Sequence, residues 1–144
     1  MRADVPRGLL DTNIVILRHA LDPDELPDEM AISTITLAEL SAGVHMVGGE
    51  DTDAIAERAR RAEILQRTES EFDPLPFDTE SARAFGRVSA AVRAHGRTPR
   101  RRVADLMIAA VAITAELPLY TTNPDDFAGL DDVVRIIPVH RPIT

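Results

Sequence analysis

Short apolar runs alternate with stretches of helical spacing along the whole chain, and that alternation predicts its architecture. Gly8-Leu9-Leu10 reads as a strand that stops at Asp11, and Thr12 to Leu21 has helical spacing through Ile14, Leu17 and Leu21. Asp22 to Asp28, with two prolines and four acids, reads as a loop. Met30 to Ser33 is a second strand, followed by a helix over Thr34 to Val47 that Gly48-Gly49 closes. Asp51 to Thr68 predicts an amphipathic helix with Ile55, Ala59, Ala62 and Leu65 on its packed face. Phe72 to Phe77 is a third extended segment. Asp78 opens a helix that turns Ala82, Phe85, Val88, Ala91 and Val92 inward and ends near Gly96. After a basic loop, Arg97 to Arg102, the stretch Val103 to Glu116 is apolar on nearly every side and predicts a buried central helix. Leu117 to Thr121 and Val133 to Pro138 are the last two strands. Strand and helix in alternation imply an α/β fold, a parallel sheet covered on both faces. In such sheets ligands bind beyond the carboxyl ends of the strands. Polar groups just after strands, or opening buried helices, are therefore the informative ones.

Composition narrows the chemistry. The 144 residues suit one domain, 1–144, with a real core. There is no cysteine, which removes disulfides, thiolate metal sites and cysteine nucleophiles and makes the cytoplasm the expected location. All 16 basic residues are arginine, so mechanisms built on a lysine fall away. A net charge of −8 argues against a passive nucleic-acid binder. It leaves room for a nuclease, because carboxylates loaded with divalent cations reverse the local field. The longest unbroken apolar run, Leu106 to Ile113, is far short of a membrane span.

Four acidic positions stand where that fold class puts chemistry. Asp11 directly follows the first strand, where it serves equally as a helix N-cap or as a site residue. Glu39 sits in a short helix among Ile35, Thr36, Ala42 and Gly43, small or apolar neighbours that either leave it at a cleared face or let it lie at an edge. Gly43 costs roughly 1 kcal/mol against alanine in a helix interior, and its expected return is room beside Glu39. Asp105 opens the most apolar helix, where the helix dipole favours an acid and a cleft is close by. Asn123-Pro124-Asp125-Asp126 follows the strand ending at Thr121 and also has the composition of an ordinary turn. Crowded carboxylates without lysine or histidine beside them repel unless a hard cation neutralises them. An all-oxygen donor set suits Mg²⁺, with Mn²⁺ able to substitute. The natural chemistry of such a site is hydrolysis of a phosphodiester by activated water, leaving a 5′-phosphate and a 3′-hydroxyl.

These residues resemble a known family. Leu9-Leu10-Asp11-Thr12-Asn13 is similar to the opening motif of PIN-domain ribonucleases, Glu39-Leu40-Ser41-Ala42-Gly43 to the second, and Asp105-Leu106-Met107-Ile108-Ala109-Ala110 to the third. Leu117 to Phe127 resembles the fourth. The ordered set spans nearly the whole chain, and size and organisation most resemble the VapC toxins of bacterial VapBC toxin–antitoxin pairs. The resemblance implies a five-stranded parallel sheet, a Mg²⁺-dependent endoribonuclease, a homodimer and inhibition by a cognate VapB antitoxin. It implies Asp11 and Asp105 as principal metal ligands, with Glu39 completing the acidic pocket. Asp126 matches the fourth acid better than Asp125, and Thr12 and Asn123 match polar positions lining the pocket. Two departures stand out. Ten residues precede Asp11, more than the few typical of the family, which places the expected start of the working chain downstream of Met1. The segment before Asp105 is also unusually basic.

In that basic loop, Arg100, Arg101 and Arg102 are candidate contacts for RNA phosphates, a task guanidinium forks suit; solvated surface pairing is the competing role for each. The aromatics Phe72, Phe77, Phe85, Tyr120 and Phe127 fall mostly at core-like positions, so base stacking is not expected to dominate. His19, His45, His95 and His140 are scattered without metal-ligand spacing. No serine elbow or glycine-rich phosphate loop occurs. Two other classes compete with the nuclease. One is a catalytically silent PIN-like domain that binds RNA or protein, which four intact acids oppose. The other is a phospho-acceptor domain using Asp11, which the missing lysine opposes.

Overall fold

The computed structural model describes residues 6–98 and 102–142. Among them a parallel sheet of four strands runs in the order β2-β1-β3-β4. The strands are β1 (Arg7–Leu10), β2 (Glu29–Ala31), β3 (Leu119–Thr121) and β4 (Ile136–Pro138). Five helices cover the sheet: α1 (Thr12–Leu17), α2 (Thr34–His45), α3 (Thr52–Glu71), α4 (Thr79–Ala94) and α5 (Val103–Ala115). Leu10 pairs with Tyr120, so the first strand lies beside a strand that begins more than a hundred residues later.

The strand pleat divides the core in two. Leu9 and Leu119 point to one face, where Val88 and Val92 of α4, Leu106, Ile108 and Ala109 of α5, and Phe127 close over them. Leu10 and Tyr120 point to the other, against Ile14 and Val15 of α1, Leu40 of α2 and Ile64 of α3. Both faces are thus buried, which is why the strands read as continuous apolar runs instead of alternating ones.

Four expectations are corrected. The fifth strand, Phe72 to Phe77, is reduced among the described residues to a single parallel bridge between Leu75 and Ser33. Leu75 donates to Ile32 O and accepts from Thr34 N, both at 2.9 Å. The bridge cannot extend, because Phe77 N donates instead to the Thr34 hydroxyl at 3.2 Å as α2 begins. Pro74 and Pro76 on either side also offer no N–H to a further strand. The helix expected over Thr12 to Leu21 is α-helical only to Leu17 and tightens into a 3₁₀ turn over Arg18–Ala20. In α4 the packed stripe is Ser81, Ala84, Val88 and Val92, with Ala82 exposed.

The packed face of α3 is also rotated from the expected one. Ala54, Ile64 and Thr68 are buried and Leu65 is half-buried, whereas Ala59 and Ala62 are exposed and Ile55 is 55% exposed. Arginines cause the rotation. Arg58 Nη2 donates to Val47 O and Gly49 O (3.1 and 2.8 Å), and Arg61 Nη1 donates to Gly43 O at 2.8 Å. These side chains tie α3 to carbonyls of the last turn of α2 and of the loop that follows it. The room at Gly43 is therefore bordered by the Arg61 guanidinium, 3.9 Å from where a Cβ would stand.

Candidate active site

The carboxyl edge of β1 delivers Asp11 into the interior, where it is 3% exposed. Its Oδ1 accepts the backbone N–H of Thr12 at 2.8 Å and so caps α1. Its Oδ2 accepts the hydroxyl of Thr121 at 2.9 Å, from the end of the neighbouring strand. Capping and facing the pocket are therefore done by one carboxylate. Burial raises its pKa above the usual 3.8, the bonds from Thr121 and Thr12 oppose the rise, and Glu39 and Asp126 add to it.

Glu39 projects from α2 towards the start of α1, where the Thr12 hydroxyl donates to its Oε1 at 2.6 Å. Thr36 is fully buried one turn earlier on α2, with its hydroxyl 2.9 Å from Thr12 Oγ1. The Thr12 proton goes to the carboxylate, so Thr36 donates to Thr12, and a two-hydroxyl chain runs from the core to Glu39.

Asp105 lies in the first turn of α5. Burial, with Asp11, Asp126 and Glu39 close by, pushes its carboxyl up to about 7, and Arg102 opposes the rise. That influence from three other acids is the electrostatic sign of a shared pocket. Asp126 sits in the 3₁₀ turn Pro124–Phe127 that follows β3. Phe127, 1% exposed in the core, anchors that turn. Asp125 is exposed on the same turn, where its carbonyl accepts from Arg97 Nη1 at 2.7 Å. Asn123 donates its backbone N–H to Thr121 Oγ1 at 2.9 Å.

The structure thus brings Asp11, Glu39, Asp105, Asp126 and Thr12 together, with Asn123 tied to the same Thr121 hydroxyl that holds Asp11. Arg102 pairs with Asp126, and its Nη1 lies 3.9 Å from Asp105 Oδ2. Arg100 and Arg101 lie outside the described residues. Sequence reasoning missed Thr36, Thr121, Arg97 and Arg141, the last of which donates to Asn123 Oδ1 from beyond β4. Thr121 carried a signal, as the residue ending the strand paired to β1, but only once the strand order is known.

Among the described residues, no three Asp, Glu or His side chains converge closely enough to ligate one ion unaided. A hard divalent cation held here would take one or two carboxylates and keep several waters, whereas a transition metal needing a closed protein cage fits poorly. Asp11 is buried, Asp105 and Asp126 are half-buried and Glu39 is exposed, so the set offers hard oxygen donors at an edge that water also reaches.

Known proteins are similar to this chain in sequence and fold. Ribonuclease VapC5 of Mycobacterium tuberculosis is 36% identical over 132 residues, spanning 90% of this chain and 91% of that protein. Ribonuclease VapC of Rickettsia bellii is 29% identical over 132 residues, 87% of this chain and 91% of that one. A chain in the crystal structure of VapBC-5, a toxin–antitoxin system member from Mycobacterium tuberculosis, superposes with a TM-score of 0.75. That match covers 94% of this chain and 98% of the other at 36% identity. The PIN domain family model matches residues 9–133, and the chain belongs to the PIN domain family.

Proposed function

We propose that this protein is the toxin of a VapBC-type pair, an endoribonuclease that hydrolyses RNA phosphodiesters with Mg²⁺ held by Asp11 and Asp105. One observation carries the reading: four acids from four separate parts of the chain meet at the carboxyl edge of the sheet, where burial and then the charges of the other three lift Asp105 to about 7. Relatives named as VapC ribonucleases, aligned over about nine-tenths of the chain, support it. Glu39 and Asp126 complete the pocket. Mg²⁺ there, with Mn²⁺ able to substitute, supplies activation of water and neutralisation of charge developing on the phosphoryl group. The protein supplies position. Thr121 and the Thr12 N–H fix both oxygens of Asp11, the Thr12 hydroxyl fixes Glu39, and Arg102 borders the pocket where a phosphate would lie. A VapB-type antitoxin is the expected inhibitor, and a homodimer the expected state, in the cytoplasm. No described helix is long and apolar enough to cross a membrane.

The test is cleavage of total cellular RNA by purified protein, with Mg²⁺ and with EDTA, beside Asp11→Asn. Discrete fragments carrying 5′-phosphates, seen only with both Mg²⁺ and Asp11, are the expected result. A 2′,3′-cyclic end would contradict hydrolysis by water. Metal binding without cleavage of any RNA would favour a silent binding domain.

A further inference from the structure

Arg102 is the cation nearest the acidic pocket among the described residues, and it is supplied by the chain itself. Its guanidinium pairs with Asp126 Oδ1 and lies 3.9 Å from Asp105 Oδ2. The contact is sheltered: the Arg102 side chain is 35% exposed, and those of Asp105 and Asp126 are 25% and 29% exposed. On its other side Arg102 borders a cavity of about 260 Å³, lined also by Gly96, Arg97, Thr98 and Asp126. Arg97 donates through Nη1 to the Asp125 carbonyl at 2.7 Å and lines the same cavity.

We propose that Arg102 and the divalent cation compete for Asp126 and Asp105, and that the displaced guanidinium joins Arg97 to seat an RNA phosphate beside the scissile one. The first half follows from Coulomb's law. A dication and a guanidinium repel, and in a half-buried site the repulsion is not screened away as it is on an open surface. The second half follows from the cavity. A long side chain already at the boundary of the acid cluster and a polar recess can turn between them without backbone movement. Two arginine forks in one recess match a phosphate diester better than they match each other. Cation loading and RNA binding are then positively coupled, because each favours the same position of Arg102. This inference rests on the nuclease reading above.

The experiment titrates Mn²⁺ alone into the full chain by calorimetry, for wild type, Arg102→Met, Arg102→Lys and Arg97→Met. Methionine keeps the packing stem and removes the charge. Mn²⁺ affinity is expected to rise on the order of tenfold in Arg102→Met. It should stay within about twofold of wild type in Arg102→Lys and Arg97→Met, the first retaining the charge and the second touching no acid. Cleavage kinetics at saturating Mn²⁺, on the RNA the wild type cuts, should then show KM raised on the order of tenfold in both methionine variants with kcat little changed. Unchanged or weaker Mn²⁺ binding in Arg102→Met overturns the competition, and unchanged KM overturns the phosphate seat. A folded wild type that binds no Mn²⁺ would overturn the metal-nuclease reading itself, a result separable from either of those.

Discussion

Thr121 does for Asp11 what Thr12 does for Glu39: a hydroxyl on a fixed backbone holds one carboxylate oxygen at hydrogen-bond distance. Partners of this kind orient reactive groups without touching substrate, and their loss typically costs roughly 10- to 100-fold in affinity or activity at metal sites. Thr121→Val keeps the shape and removes the bond to Asp11 and the acceptor for Asn123 N. The expected result is a fall in kcat on the order of 10- to 100-fold with KM little changed, and Thr121→Ser should restore most of it. Loss through KM alone would mean that Thr121 does not position Asp11. Gly8, two residues before Leu10, is under a different constraint. A Cβ there would stand 2.2 Å from Tyr120 Cε1, and that ring is buried, so it cannot swing into solvent. Gly8→Ala should therefore destabilise the fold by about 1–3 kcal/mol in urea denaturation. A neutral result would show that Tyr120 has room to shift.

Between elements, Arg18 is the tie that periodicity could not announce. It leaves the 3₁₀ turn after α1, pairs with Glu71 at the end of α3, and lies 5.2 Å from the Phe72 ring centroid. Its side chain is 9% exposed, and Nη1 is buried without a partner. Removing the anion leaves a nearly buried charge, but Glu71 itself is 42% exposed, so Glu71→Ala should cost less than a fully buried pair would, about 1–2 kcal/mol. Adding Arg18→Met to that variant should recover much of the loss, and a strictly additive double mutant would contradict the buried-charge account. The same chemistry marks where elements were legible in the sequence and where they were not. Helices α2 and α4 announced themselves through apolar spacing and glycine ends, and α5 through an apolar run that closes on Glu116 in the left-handed conformation. The face of α3 did not, because Arg58 and Arg61 reach carbonyls of the last turn of α2 and the loop after it, and a hydrophobicity pattern scores arginine as solvent. The fifth strand was misread because Leu75 and its neighbours are extended and apolar, while the two flanking prolines and the early start of α2 leave it one bridge.

At the scale of the molecule, the acids could be picked out one by one, three just after a strand or at a helix start and Glu39 by the small, apolar neighbours on its helix. Their meeting could not, since it depends on β3 lying beside β1 and on the Asp11–Thr121 contact that this order creates. Their meeting has a cost that can be measured on the whole fold. Asp105 is raised from 3.8 to about 7, so between roughly pH 4 and 7 the folded protein holds a proton that the unfolded chain has released. A group raised in this way contributes stability below the unfolded value and loses it as pH rises through the folded one. In EDTA, Tm should therefore fall as pH is taken from 5 to 8. Glu57, lowered to about 2 by Arg60 and Arg61, acts in the opposite sense but below pH 4.5, outside this window. Asp105→Asn carries the neutral form at every pH. It should flatten the slope and raise Tm at pH 8 by on the order of 5 °C, while abolishing RNA cleavage. Saturating Mg²⁺ should flatten the slope in the wild type too, by binding the ionised carboxylate, and should do little for the variant. If Tm in EDTA instead rises from pH 5 to 8 by the same amount in wild type and Asp105→Asn, the pocket does not hold the proton and the acids do not repel as their positions imply.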